Sequence, residues 1–114
     1  GDGIVFAEKE VALYANFPIA SDTSIKNMQT SLSKGQVRVD YDVEVPTTYP
    51  VTATVREYVK SQQGEVISER RYEETFSGSI DPRDSNITEK STTFDFGNKR
   101  DMQAQVCVEM VEVS

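Results

Sequence analysis

From Gln36 to Val45 the chain alternates without a miss. Val37, Val39, Tyr41, Val43 and Val45 are apolar or aromatic, and Gln36, Arg38, Asp40, Asp42 and Glu44 between them are polar or charged. Strand side chains point alternately to opposite faces, so a period of two calls for a strand with one face in a core and the other in water. A lone half-buried strand is not stable, so this run commits the chain to a sheet. Pro46 ends it, and Pro50 closes the short link Pro46-Thr47-Thr48-Tyr49-Pro50. Proline cannot donate to a ladder, which suits the link to a crossing between strands.

The same period recurs along the chain. Strand candidates come first at Ile4 to Ala7 and Val11 to Phe17, separated by the charged Glu8-Lys9-Glu10. Val51 to Lys60 sets Val51, Ala53, Val55 and Val59 on one face, and Glu65 to Phe76 returns after a turn at Ser61 to Gly64. A four-residue loop there places Val59 opposite Val66 and Arg56 opposite Glu69. A two-residue loop, Gln63-Gly64, would oppose Arg56 and Arg71. Opposite charges favour the first register. Ser77 to Asn86 reads as a turn-rich crossing, Ser91 to Phe96 as a strand and Gly97 to Asp101 as a hairpin loop. Met102 to Val113 reads as the last strand, its apolar phase slipping by one residue near Glu109 to Glu112, which suggests a bulge. Ser24 to Ser33 is ambiguous. Ile25, Met28 and Leu32 have helical spacing, while Lys26, Met28, Thr30 and Leu32 alternate; its Ser and Thr content dilutes the helix, so strand or irregular structure is favoured.

Six to eight strands with proline-marked crossings predict an all-β fold, an antiparallel β-sandwich. In outline this resembles immunoglobulin-like or fibronectin-III-like sandwiches. The Cys–Trp–Cys core of antibody domains is absent, since the sequence has no Trp and one Cys. The 114 residues suit a single domain, 1–114, able to bury a core without staples. That core is expected to contain Val37, Val39, Val43, Val45, Val55, Val106 and Val108.

Composition narrows the function. Nineteen acidic residues against twelve basic ones give a net charge of −7, and the only adjacent basic pairs are Arg70-Arg71 and Lys99-Arg100. Nucleic acid and anionic membrane surfaces are therefore not expected partners. No run approaches the roughly 18 apolar residues of a spanning helix. The absence of histidine removes Ser-His-Asp triads, Cys-His dyads and histidine-bearing zinc sites. Phosphate-binding glycine loops are missing as well. Cys107, between Val106 and Val108, reads as a small hydrophobe in or beside the sheet. The chain is expected to be no enzyme and to carry no cofactor. The loop Asp81 to Asn86 offers oxygens, with Asp81, Asp84 and Asn86 the best ligands if any ion is bound. Asp-Pro turn chemistry and the intervening Arg83 weigh against a metal, and none is expected. Asn86-Ile87-Thr88 matches a glycosylation sequon. The start, GDGIVF, has no Met, which reads as a removed leader and an exported, periplasmic, cell-surface or secreted location.

Two features remain for function. Asp40, Asp42 and Glu44 share one face, about 7 Å apart along the strand. That row reads as a solvated face or as a guard against edge pairing, with docking of a basic partner the other reading. Five tyrosines are present, Tyr14, Tyr41, Tyr49, Tyr58 and Tyr72, and Tyr49 and Tyr58 are the expected exposed rings. Function in sandwiches sits mainly in loops, here the polar crossings Ser77 to Lys90 and Gly97 to Asp101. The expectation is a non-catalytic module of an exported or cell-surface protein, presenting a rigid surface for protein contacts in adhesion or assembly. The alternative is carbohydrate binding through Tyr49 and Tyr58.

Overall fold

The structure, a computed structural model, describes residues 12–15, 23–33, 35–95 and 104–113. These form seven strands and no helix: β1 (Ala12–Ala15), β2 (Ser24–Ser33), β3 (Gln36–Val45), β4 (Val51–Ser61), β5 (Val66–Phe76), β6 (Asn86–Asp95) and β7 (Ala104–Val113). The expected strand at Ile4 to Ala7, the loop Gly97 to Asp101, Phe96 and Met102 lie outside the described residues.

The strands make two sheets, ordered β1-β7-β4-β5 and β2-β3-β6. All pairs are antiparallel except β1 with β7, which run parallel over Ala12 to Ala15. The fully antiparallel expectation fails there because no hairpin joins these two strands, so nothing forces them to run in opposite directions. Hairpins β2–β3 and β4–β5 stay within a sheet, whereas the proline-bracketed link 46–50 carries the chain from one sheet to the other.

The inner faces of the sheets share one core, giving a sandwich-like arrangement. Val37, Val39, Val43 and Val45 of β3, Val51, Val55 and Val59 of β4, and Val106 and Val108 of β7 are 0 % exposed. Phe76 from β5 and Phe94 from β6 join them. All seven expected core valines are therefore fully buried. Val106→Ala is expected to lower unfolding free energy by about 1–3 kcal/mol through lost burial and the cavity left behind. A urea midpoint unchanged from wild type would contradict that placement.

Three irregularities explain where local reading and structure part. In β2 the register shifts between Lys26 and Gln29, so Asn27 and Met28 stand where β3 has Tyr41 alone. Asn27 adopts φ 55°, a left-handed conformation that asparagine tolerates better than most residues. Ile25 points inward before this bulge, and Met28, Thr30 and Leu32 turn inward after it. The helical spacing of Ile25, Met28 and Leu32 is thus strand alternation with one residue inserted.

The β4–β5 register is the one that opposes Arg56 and Arg71, not the one preferred from charge. A three-residue loop, Gln62-Gln63-Gly64, closes the hairpin. Ser61 N donates to Glu65 O (2.7 Å), Gly64 N donates to Ser61 O (2.9 Å), and Gly64 sits at φ 91°. A bulge between Val59 and Lys60 then resets the ladder. The opposed arginines are bridged diagonally. Glu69 Oε1 accepts from Arg56 Nε (2.6 Å) and from Arg71 Nε (3.0 Å), and Arg56 also donates to Glu109 Oε1 (3.0 Å).

The bulge expected in the last strand is present, with the β4–β7 register shifting past Val111. Finally, β6 begins at Asn86, five residues before the expected Ser91, and pairs with β3 over ten positions. Its first half turns Thr88 and Lys90 inward instead of apolar residues, so no apolar alternation marks it.

Candidate functional site

One end of the sandwich is built from two interlocked segments, the link 46–50 and the crossing 77–85. Ser79 N donates to Thr47 O (2.7 Å), and Ser79 Oγ donates to Asp81 O (2.7 Å). Thr47 Oγ1 donates to Tyr49 O (2.9 Å). Gly78 lies so close to the link that a Cβ there would stand 2.6 Å from Thr48 C and Tyr49 O. On this braced scaffold two large side chains face water: Tyr49 is 58 % exposed and Ile80 is 103 % exposed. Ile87, 49 % exposed at the start of β6, adds a third apolar group in the strand that follows the crossing.

Downstream, the Asp81 carboxylate is fully engaged by Arg83. Oδ1 accepts from Arg83 N (2.9 Å) and Nε (3.2 Å), and Oδ2 accepts from Nη2 (3.2 Å). These bonds hold the Asp81 carboxyl below its ordinary pKa. Asp84 N donates to Asp81 O (2.9 Å) as in an ordinary turn, and Asn86 Nδ2 bonds Thr88 Oγ1 (3.4 Å). Asp81, Asp84 and Asn86 thus serve local turn and strand contacts. Among the described residues no three His, Cys, Asp or Glu side chains converge to hold a metal.

The two expected tyrosines separate. Tyr49 is exposed at the loop end. Tyr58 is only 7 % exposed, a correction to the expected open ring. It does face outward, but on β4, a strand flanked on both sides. Its register partners are Glu69 on β5 and Cys107 on β7. The Arg56 guanidinium lies over the ring, 3.8 Å from the centroid, which removes a face on which a sugar could stack. Burial first, then its bond with Cys107, pushes the Tyr58 phenol up to about 12. Cys107 itself is buried as expected, and burial raises its thiol pKa.

The acidic row lies on β3, the middle strand of its sheet, so it guards no edge. Asp40, Asp42 and Glu44 are half-buried and mostly paired. Lys26 forms an ion pair with Glu44 and lowers that carboxyl's pKa. Asn27 Nδ2 donates to Asp42 Oδ2 (2.9 Å), and Arg38 Nε donates to Asp40 Oδ1 (3.0 Å) and Ser91 Oγ (3.1 Å). Asp40 and Asp42, but not Glu44, line an open depression of about 500 Å³ together with Glu89 and Lys90.

One polar site went unread from the sequence. Glu57 occupies the inward phase of β4, between Val55 and Val59, and is 4 % exposed. Tyr41 Oη donates to Glu57 Oε2 (2.6 Å) and lies 2.5 Å from Tyr72 Oη. Beside them Lys90 Nζ donates to Glu74 Oε1 (2.5 Å) and sits 5.1 Å from the Tyr72 ring centroid. The signal was available: Glu57 shares the phase of Val51, Ala53, Val55 and Val59.

No family model matches the chain, and no curated protein matches it. Among solved structures it is similar to Campylobacter jejuni cj0090, known from a crystal structure, at 17 % identity over 89 % of this chain and 97 % of that one, with a TM-score of 0.36.

Proposed function

We propose that this chain is a non-catalytic module of an exported or cell-surface protein, that its sandwich is of the immunoglobulin-like or fibronectin-III-like type, and that it acts through protein contacts in adhesion or assembly. The observation that carries the reading is the pairing of exposed Tyr49 and fully exposed Ile80 on two segments braced against each other. Large apolar groups held rigidly in water lose little conformational freedom when a partner covers them, and tyrosine is enriched at such contacts. The non-catalytic part rests on the lack of histidine and of any phosphate-binding glycine loop in the sequence.

A second reading, carbohydrate binding, is supported by Tyr49 alone, since the Tyr58 ring is covered by Arg56. Two measurements discriminate. A photo-crosslinking residue placed at Ile80, in cells that make the protein, is expected to yield discrete protein adducts. Tyr49→Ala should weaken them, and the same probe at Gln63, in the hairpin of the other end, should not yield them. Identical adducts from both positions would remove the loop end from the proposal. A specific glycan-array signal abolished by Tyr49→Ala would transfer the function to sugar binding.

A further inference from the structure

β5 is an edge: among the described residues it pairs with β4 on one side and with no strand on the other, over eleven residues. An edge of this length offers a row of unpaired N–H and C=O groups, a template for another strand. Charges commonly guard such edges, and β5 is densely charged, but its charges are ordered. Arg70-Arg71-Tyr72-Glu73-Glu74 places two cations before the tyrosine and two anions after it.

That order is self-complementary. When a strand pairs antiparallel with its own copy across a two-fold axis at Tyr72, Arg71 stands opposite the second copy's Glu73. Arg70 stands opposite its Glu74, and Glu69 opposite its Thr75; symmetry repeats each pair. Centring the axis on Arg70 or Arg71 opposes identical arginines, and centring it on Glu73 or Glu74 opposes identical glutamates. Opposite charges across a ladder stabilise it and like charges destabilise it, so among registers centred on a residue from Arg70 to Glu74 only the one at Tyr72 opposes no like charges. The outward pair faces water. Arg71 is 55 % exposed at its side chain while bonded to Glu69 of its own strand, and Glu73 is exposed with no hydrogen bond or ion pair among the described residues.

A second edge agrees with the same axis. β6 borders the other sheet and lies across from β5, as Arg70 Nη1 donates to Thr92 Oγ1 (2.7 Å) and Lys90 bonds Glu74. These contacts set Tyr72 across from the stretch centred on Ser91. Self-pairing of β6 about Ser91 opposes Glu89 with Thr93, Lys90 with Thr92 and Thr88 with Phe94, with no like charges facing. Centring on Lys90 would oppose two lysines, and centring on Thr92 would oppose Glu89 with Asp95. One two-fold axis therefore satisfies the charges on both edges.

We propose that the chain forms a two-fold symmetric dimer in which β5 pairs antiparallel with β5 of a second copy, centred on Tyr72, with the β6 edges side by side beneath it. The pairing uses the β5 and β6 edges and neither Tyr49 nor Ile80. Its ion pairs are at the surface, so its affinity falls with salt.

Sedimentation velocity over a concentration series reaching the millimolar range tests it. Wild type is expected to show a monomer–dimer equilibrium. Arg71→Glu and Glu73→Arg should each weaken it on the order of tenfold, because each turns two favourable cross-strand pairs into repulsive ones. An equimolar mixture of the two variants should regain dimer, since each reversed charge then meets its opposite, and this rescue also shows that both variants fold. Three results would overturn the proposal: a monomeric wild type at every concentration, single variants that dimerise like wild type, or a mixture no more dimeric than its components.

Discussion

Tyr41→Phe is expected to destabilise the fold by about 2–4 kcal/mol, although it removes a single oxygen atom. Tyr41 is 1 % exposed and its hydroxyl donates to Glu57 Oε2. Phenylalanine fills nearly the same volume, so the loss is polar and not one of packing. Glu57 is 4 % exposed and has no other hydrogen-bond donor among the described residues. Stripping a buried carboxyl of its partner costs the desolvation that the bond had offset. The Tyr72 hydroxyl loses its neighbour in the same step. Replacing both partners, as in Tyr41→Phe with Glu57→Met, leaves no buried carboxyl without a partner and should recover much of the loss. Urea unfolding of the two single variants and the double variant measures the coupling. A double variant as unstable as the sum of the singles would refute the account.

The same cluster sets an alkaline limit. Burial, and for Tyr41 the bond to Glu57, raises the Tyr41 and Tyr72 phenols above the ordinary value near 10. A phenol with a raised pKa in the folded state contributes stability that is complete below the unfolded value. The contribution is lost as pH rises further, because the unfolded chain releases its protons first. Stability should therefore fall above about pH 10, and less steeply in Tyr41→Phe than in wild type.

How much of this was legible depends on what each residue's neighbours are. β3 was legible because it is the middle strand of its sheet, with one face on the core. All five of its alternate apolar residues are buried to 1 % exposure or less. β2 was only ambiguously legible, because the inserted Asn27 gives its strand alternation a helical spacing. The β4–β5 register was misjudged because only directly opposed charges were weighed. The structure tolerates Arg56 opposite Arg71 by placing Glu69 between them and Glu109 beside Arg56.

The candidate site was half legible for a related reason. A strand position indicates which face a side chain takes, not how many strands flank it. Tyr58 points away from the core, yet β5 and β7 on either side and Arg56 above it take the ring out of water. Tyr49 sits in a link bounded by two prolines, where no ladder covers it. Ile80 had no periodicity to read, and its prominence depends on the interlock with residues 47–49.

That interlock hinges on Gly78, and Gly78→Val is expected to cost roughly 3 kcal/mol or more. The position needs glycine for space, not for backbone freedom. A Cβ would fall 2.6 Å from Thr48 C and Tyr49 O and 2.7 Å from Thr48 O, all of them backbone atoms that cannot swing aside as a side chain would. Valine adds two methyl groups to that overlap. Gly64 is the opposite case. At φ 91° it needs glycine for conformation, while a Cβ there would meet nothing within 4 Å. Gly64→Ala should therefore cost only about 1–2 kcal/mol, from backbone strain. The two variants also differ in where they act. To relieve the overlap, Gly78→Val must part the crossing from the link, which breaks the Ser79 N–H bond to Thr47 O and displaces Tyr49 and Ile80 from each other. Hydrogen exchange at the Ser79 amide should accelerate in Gly78→Val, beyond the change in global stability, and follow global stability alone in Gly64→Ala. A Gly78→Val protein with wild-type stability and a protected Ser79 amide would show that the two segments are not braced together. The shared surface of Tyr49 and Ile80 would then lose its structural basis.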